Sequence, residues 1–290
     1  MRPPIQKSAI PEARTYLMQD LNEAYFDPNW HFHEEYQLVV VLKGTGTRFV
    51  GDNIKHFEAG DMVFTGPNLP HVWRSDDTYF ENHELLTRCV VIYFSERFMG
   101  QAFLKKEEMA NLRELFGRAN RGLEVVGSTR DVIQGKMLDM LEQDGFDGVL
   151  SLLQILNMIS KSEEVKYINK TGYLNTVTSS DSERMRAVHN FVLNNYKGNI
   201  LLEDAASLAN LSPTSFSRYF KARTNKTFSD FVTELRIGQA CKLLLGGDMA
   251  ITQIAFECGY QTLSHFNRKF KDMTGTSPMK YKKAYSRLTS

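Results

Sequence analysis

A seven-residue phrase occurs twice in the chain, fifty residues apart: Ser215-Phe216-Ser217-Arg218-Tyr219-Phe220-Lys221 and His265-Phe266-Asn267-Arg268-Lys269-Phe270-Lys271. Each copy reads x-Phe-polar-Arg-x-Phe-Lys. On a helix, two Phe four residues apart share one buried face, while Thr214, Ser217, Arg218 and Lys221 line another at i, i+3, i+4 and i+7. Ser264, Asn267, Arg268 and Lys271 repeat that stripe. Such a helix gives one side to its own core and offers donors and cations on the other.

Each copy follows a short small-residue helix and a tight turn: Glu203 to Ala209 with Asn210, then Ile251 to Cys258 with Gly259. Ala206 and Ala255 fall where two helices approach closely. Asn and Gly tolerate the left-handed backbone that ends a first helix. Ser212 followed by Pro213, and Thr262, supply start signals for the second. The spacing therefore predicts two helix-turn-helix units, about 202–223 and 251–273, joined by a long helix over about Phe228 to Leu245. A helical-bundle core with a solvated arginine face explains one copy equally well. Two copies with matching turns favour the reading-helix interpretation.

In order and spacing, Ala206, Ser212, Arg218, Phe220-Lys221, Arg236, Ile254-Ala255, Gly259-Tyr260, Phe266, Phe270-Lys271, Gly275 and Ser277-Pro278 resemble the AraC-type signature, over roughly residues 183–285. Two departures, Asn225 for a usual glycine and Lys282 for a common arginine, lie outside the reading helices. The resemblance implies double-stranded DNA as partner, with recognition helices in successive major grooves on one face. Carried onto this chain, it gives base reading to Thr214, Ser217 and Arg218 and to Leu263, Ser264, Asn267 and Arg268. Lys221, Lys269 and Lys271 are left for phosphates, which hold register without reading sequence. It further implies a homodimer, and RNA polymerase as a partner if the chain activates.

Charge agrees with that division. Residues 182–290 carry 16 Lys and Arg against 8 Asp and Glu, and residues 1–181 carry 19 against 26. A basic half points to a polyanion, although solvated helix surface explains the excess equally well. Cys89, Cys241 and Cys258 have no paired spacing and read as buried thiols in a reducing compartment. No basic segment leads into an apolar run at the N-terminus, and Leu150 to Ile159 is too short and polar to span a bilayer. A cytoplasmic protein without a membrane partner is expected.

From Tyr36 to about Tyr93, β-rich runs such as 38–42 and 89–93 alternate with Gly, Asp and Pro turn signals, predicting a sandwich or small barrel. Helical periodicity follows, with Val132, Ile133, Met137, Leu138 and Leu141 on one stripe and Leu152, Leu153, Leu156 and Ile159 on another. Between Lys161 and Asp181 the composition turns polar. The expected fold is α+β: a cupin-like β-barrel with flanking helices over 1–165 for sensing and dimerisation, a linker over 166–181, and an all-α double helix-turn-helix domain over 182–290.

His31-x-His33 before the Leu38 strand, and Gly60-Asp61 leading to Pro67, Pro70 and His71, resemble the cupin barrel. Metal-dependent cupins place two histidines and a glutamate on one hairpin and a third histidine on a later strand. Here His31, His33 and His71 take the histidine positions and Gln37 takes the glutamate position. Glu34 and Glu35 fall at the wrong spacing for a ligand. Gln lacks the anionic oxygen, so no metal or other cofactor is expected, with the three histidines as weak candidates. An effector pocket lined by His31, His33, Gln37, His71 and Trp73 is the expectation instead, with a small molecule such as a sugar as its ligand. Trp30, Tyr36 and Trp73 offer flat surfaces for a ring, or serve as core aromatics. A non-enzymatic, effector-responsive transcription regulator follows. The alternative is a metal-dependent cupin enzyme or metal sensor fused to a DNA-binding domain. A purely architectural DNA-binding protein has no need of a pocket.

Overall fold

A computed structural model describes residues 10–28, 31–82, 84–100, 102–170, 179–224, 226–245 and 249–286. Trp30 and Asn225 lie outside them. The chain divides into two compact units with the break after residue 175.

The first unit is built on β1 (Tyr16–Glu23), β2 (Tyr36–Lys43), β3 (Gly46–Val50), β4 (Asn53–Phe57), β5 (Met62–Thr65), β6 (His71–Ser75), β7 (Thr87–Phe94), β8 (Leu123–Val125) and β9 (Val165–Tyr167). One six-stranded sheet runs β1-β7-β2-β5-β8-β9 and one three-stranded sheet runs β4-β3-β6. Short helix α1 (Thr78–Glu81) precedes β7. Helices α2 (Ala110–Ala119), α3 (Gly127–Met140) and α4 (Gly145–Lys161) follow it.

Strand β2 explains the two-layered core. All of residues 36–41 are buried, so both faces of the strand are covered and its sequence shows no polar alternation. Tyr36, Leu38 and Val40 face the helices together with Phe64, Phe94, Leu115, Met137 and Leu156. Val39 and Val41 face the barrel interior with Val63, Val91, Tyr93 and Trp73. Tyr36 stacks near-parallel on Phe94 and Phe64 and packs on Phe116 at 4.5 Å, so it is a core aromatic on the helix side of the sheet. On α3 the stripe is narrower than expected: Ile133 and Met137 are buried, while Val132 points outward at 50% exposure.

Residues 165–169, placed by composition at the edge of a linker, are structural. β9 pairs with β8 from Val165 to Tyr167. Asn169 is buried: its carboxamide accepts the Asp52 N–H at 2.8 Å and donates to the Arg121 carbonyl at 2.9 Å, and its own carbonyl accepts from the Arg121 guanidinium. Polar composition misleads here because a short edge strand needs backbone pairing more than apolar side chains.

The second unit comprises α5 (Ser179–Asn195), α6 (Leu202–Leu208), α7 (Pro213–Thr224), α8 (Phe228–Leu245), α9 (Ile251–Glu257), α10 (Leu263–Thr274) and α11 (Pro278–Ser286). Phe228 and Phe231 pack edge to face on Phe216 and Phe220, which are tilted on each other, with centroids 5.4 to 5.6 Å apart. The second half packs Ile237, Ala240, Ile254, Ala255, Phe266 and Phe270. No helix among the described residues is long and apolar enough to cross a membrane.

His189 sits edge-on to Phe231 at 4.8 Å, and burial pushes its pKa down to about 3. Because that folded value lies below the ordinary 6.5, protons bind the unfolded chain more readily. The full contribution is present above about pH 6.5 and erodes as pH falls from 6.5 toward 3, by about 1 kcal/mol per pH unit. Urea unfolding of wild type and His189→Leu at pH 7 and 5 measures this. A smaller loss in the variant is expected, and parallel losses would refute the assignment.

Candidate nucleic-acid interface and barrel site

The turns before the repeated helices are formed by the residues expected. Asn210 adopts φ 53° and Gly259 φ 78°, both left-handed. In each turn two N–H groups close on the preceding helix: Asn210 on Ser207 and Leu211 on Ala206, then Gly259 on Phe256 and Tyr260 on Ala255. The Ser212 hydroxyl accepts the Ser215 N–H at 3.3 Å and the Thr262 hydroxyl accepts the His265 N–H at 3.4 Å, capping α7 and α10.

Inside α7, Phe216, Phe220 and Thr224 are buried, and Thr214, Ser217, Arg218 and Lys221 are exposed. Inside α10, Phe266 and Phe270 are buried. Ser264, Asn267, Arg268 and Lys271 are exposed, while Leu263 and Lys269 are half-buried. The match extends past the phrase read from sequence. The Thr224 hydroxyl donates to the Phe220 carbonyl at 2.8 Å, and the Thr274 hydroxyl donates to the Phe270 carbonyl at 2.8 Å. Thr227 and Ser277 then cap α8 and α11. The Thr pair lies fifty residues apart and was visible in the sequence by extending the repeat.

The exposed faces carry side chains able to hydrogen-bond base edges. Arg presents a fork of donors suited to O6 and N7 of guanine, and Asn pairs with N6 and N7 on the major-groove edge of adenine. The Ser217 hydroxyl donates to the Pro213 carbonyl at 3.0 Å, so it offers outward lone pairs, which accept from a base amino group.

At the barrel, the main chains of His31 and His71 form a bridge, with N–H to O distances of 3.2 and 2.9 Å. This brings the His31 ring to 4.6 Å from that of His71, with His33 5.0 Å from His71. One ring nitrogen from each of the three lies within 4.8 Å of the others. Gln37 points its Oε1 at His33 Nε2, 3.0 Å away, and at His71 Nε2, 3.2 Å away. Trp73 points into the same interior, its indole N–H donating to Asp61 at 2.9 Å.

The protons of the two buried rings are assigned by their backs. His33 Nδ1 lies 3.0 Å from the Glu35 carbonyl and His71 Nδ1 lies 2.7 Å from the Leu69 carbonyl. A carbonyl only accepts, so both Nδ1 atoms carry hydrogen. Burial pushes the His33 pKa down to about 4 and the His71 pKa well below its ordinary value, so each ring is neutral at pH 7 and each Nε2 is a bare lone pair. Gln37 Oε1 thus faces two lone pairs with no proton between them. Two arrangements relieve this: the carboxamide turned to donate to both rings, or a cation at their centre. The donor set fits a divalent metal. Two ligand atoms about 2.1 Å from one ion and at right angles are about 3.0 Å apart. His31, His33, His71 and Gln37 would hold it, and it would supply a positive charge and open coordination positions.

Sequence reasoning missed Arg48. It is 1% exposed on β3, opposite Trp73 in the β3–β6 register, paired with Asp61 at 2.5 Å and 3.8 Å from Glu124. The signal was the strand's own alternation, Gly46, Arg48 and Val50 sharing the face of His71 and Trp73.

A family model described as a helix-turn-helix domain matches residues 205–284, and one described as a cupin domain matches residues 18–79. The HTH-type transcriptional regulator YdeC of Bacillus subtilis strain 168 is 25% identical over 284 residues, 94% of this chain and 91% of its own length. The chain combines an AraC-type helix-turn-helix domain with a cupin domain, and its relatives are HTH-type transcriptional regulators. The transcriptional activator RhaS of Mannheimia succiniciproducens is 24% identical to this chain, over 86% of it and 87% of its own length. Among solved structures, ToxT from Vibrio cholerae O395 aligns over 92% of this chain and 97% of its own at 15% identity, with a TM-score of 0.36.

Proposed function

We propose that this regulator is a cytoplasmic homodimer, not an enzyme, whose barrel captures a small effector and thereby changes how two DNA-binding units are presented. Residues 1–169, with β9 and Asn169 part of the barrel unit, serve sensing and dimerisation, the segment from 170 to the start of α5 connects, and α5 onward binds DNA. In an activator, RNA polymerase is the further partner. The effector site is the barrel interior at His31, His33, Gln37, His71 and Trp73.

One observation carries the DNA reading: α7 and α10 expose the same order of hydroxyl or carboxamide, arginine and lysine, each backed by two buried Phe. Thr214, Ser217 and Arg218, with Leu263, Ser264, Asn267 and Arg268, read base edges. Lys221, Lys269 and Lys271 hold phosphates. Each protomer is expected to protect two major-groove segments about 10 base pairs apart on one face. Footprinting with the full chain tests this, and protection of a single segment per protomer would overturn it.

Reading and holding separate by substitution. Arg218→Ala is expected to cost about 1–3 kcal/mol on the cognate site and to relax preference at one base pair. Lys271→Ala weakens all sequences alike and lowers the salt slope by about one unit. Equal losses on cognate and random DNA in both variants would remove Arg218 from the readers.

A further inference from the structure

We infer that Gln261 is a base reader of the second helix-turn-helix unit, with adenine as its target, and that it stands in for Leu263 at the start of α10. The inference rests on the reading of α10 as a helix that enters the major groove, and names a further determinant of its sequence preference.

The two units match in their turns and in their reading helices but not in what joins them. In the first, Leu211 alone separates the left-handed Asn210 from the capping Ser212. In the second, Tyr260 and Gln261 separate the left-handed Gly259 from the capping Thr262. The turns close alike, the Leu211 N–H on Ala206 and the Tyr260 N–H on Ala255, and both helices bury two Phe. The added residue is therefore taken up between fixed points. Tyr260 goes inward: it is buried, edge-on to His265 at 5.5 Å and to Phe266 at 5.4 Å. Gln261 is left exposed, held between a buried aromatic and a capping hydroxyl.

That place is short of hydrogen-bonding side chains. Recognition helices meet base edges with their N-terminal residues. Leu263, the first residue of α10, has no polar atom on its side chain and is half-buried, packed against the cluster that holds Phe266 and Phe270. Ser264 comes next, and its hydroxyl donates to that of Thr262 at 3.4 Å, which leaves it lone pairs for an outside donor. Gln261 brings a carboxamide to the same end of the helix. Its amino group and oxygen match N7 and N6 of adenine in the major groove. Being uncharged, it adds nothing to the salt-dependent attraction of the phosphates. The first unit has no residue at this position, so the two units read unequally.

The test selects bound sequences from randomised double-stranded DNA with the full chain, for wild type, Gln261→Ala, Gln261→Glu and Arg268→Ala, and measures affinity on the recovered sequence and its single-base variants. In wild type an A·T pair is expected within the segment whose preference Arg268→Ala relaxes. Gln261→Ala is expected to weaken binding to the recovered sequence about 5- to 100-fold, with affinity unchanged on DNA already altered at that pair and with the salt slope unchanged. Gln261→Glu is expected to exchange adenine for cytosine, whose amino group a carboxylate accepts. A switched preference cannot arise from loss of folding, which weakens all sequences alike. Equal losses on every sequence in Gln261→Ala would make the residue a backbone contact and overturn the inference, as would an unchanged preference. Arg268→Ala keeps the two readings apart. If it relaxes one segment while neither Gln261 variant changes any preference, α10 reads DNA and Gln261 does not. If none of the three alters a base preference, α10 is no reader and both readings fall.

Discussion

Phe270→Ala is expected to destabilise the DNA-binding unit by about 3–5 kcal/mol, a large share of the 5–15 kcal/mol that holds a domain together. The ring is wholly buried, tilted on Phe266 at 5.6 Å and edge-on to Tyr281 at 5.5 Å. Its cluster includes Ile237, Ala240 and Leu244 of α8, Ile254 and Ala255 of α9 and Phe266 of α10, with Tyr281 of α11 packed against it. Truncation removes transfer free energy and leaves a cavity among four helices that cannot all move inward together. Urea unfolding reads the effect as a fall in midpoint at constant slope. A loss below about 1 kcal/mol would mean that the cluster collapses around the gap and that Phe270 is no keystone. DNA affinity should fall too, since the exposed stripe of α10 is held in place by its buried face.

Gly259→Ala is the second large effect, about 2–4 kcal/mol, and comes from the backbone. At φ 78° an alanine meets the left-handed penalty. Its Cβ would also stand 2.5 Å from the Tyr196 carbonyl oxygen and 3.0 Å from that of Lys197. Those carbonyls cannot retreat freely. The Arg236 guanidinium donates to Tyr196 at 2.8 Å and to Gly198 at 2.7 Å, clamping the segment against α8. Asn210, at the corresponding turn of the other unit, is the internal control. It is exposed at φ 53°, and Asn210→Ala should cost only about 1 kcal/mol, the conformational part alone. Thermal melts of both variants measure the difference. Equal losses would show that the close approach at Gly259 is relieved by small shifts.

The reading helices and their turns were legible because their constraints are local. A Phe-x-x-x-Phe spacing, a capping hydroxyl and a left-handed residue each act within a few positions, and duplication displayed them twice. The barrel was legible as a set of strands and less so as a site. Its sheet order β1-β7-β2-β5-β8-β9 joins strands far apart in the chain, so the pairing of Gln37 with Thr65, or of Arg48 with Trp73, follows from topology that no local pattern encodes. Tyr36 and Gln37 are neighbours on opposite faces of a strand buried on both sides, which hides the alternation that would have separated them. Glu35 was set aside because it stands at the wrong spacing to touch a metal. Its contact with the far side of the His33 ring depends on ring orientation, which only the folded chain supplies. β9 was lost to the polar composition of its neighbourhood.

The matched hydroxyls of Thr224 and Thr274, each returned to the carbonyl of the second repeated Phe, show that the two helix-turn-helix units share their inward features down to single hydrogen bonds. Selection for folding therefore acts on the same few positions in both copies and leaves the outward ones nearly untouched. Ser217 can drift to Asn, or Asn267 to Ser, without disturbing the core beneath. Each unit is thus able to acquire its own half of a binding site independently. Two readers on one scaffold can therefore address different base sequences while the core that holds them stays the same.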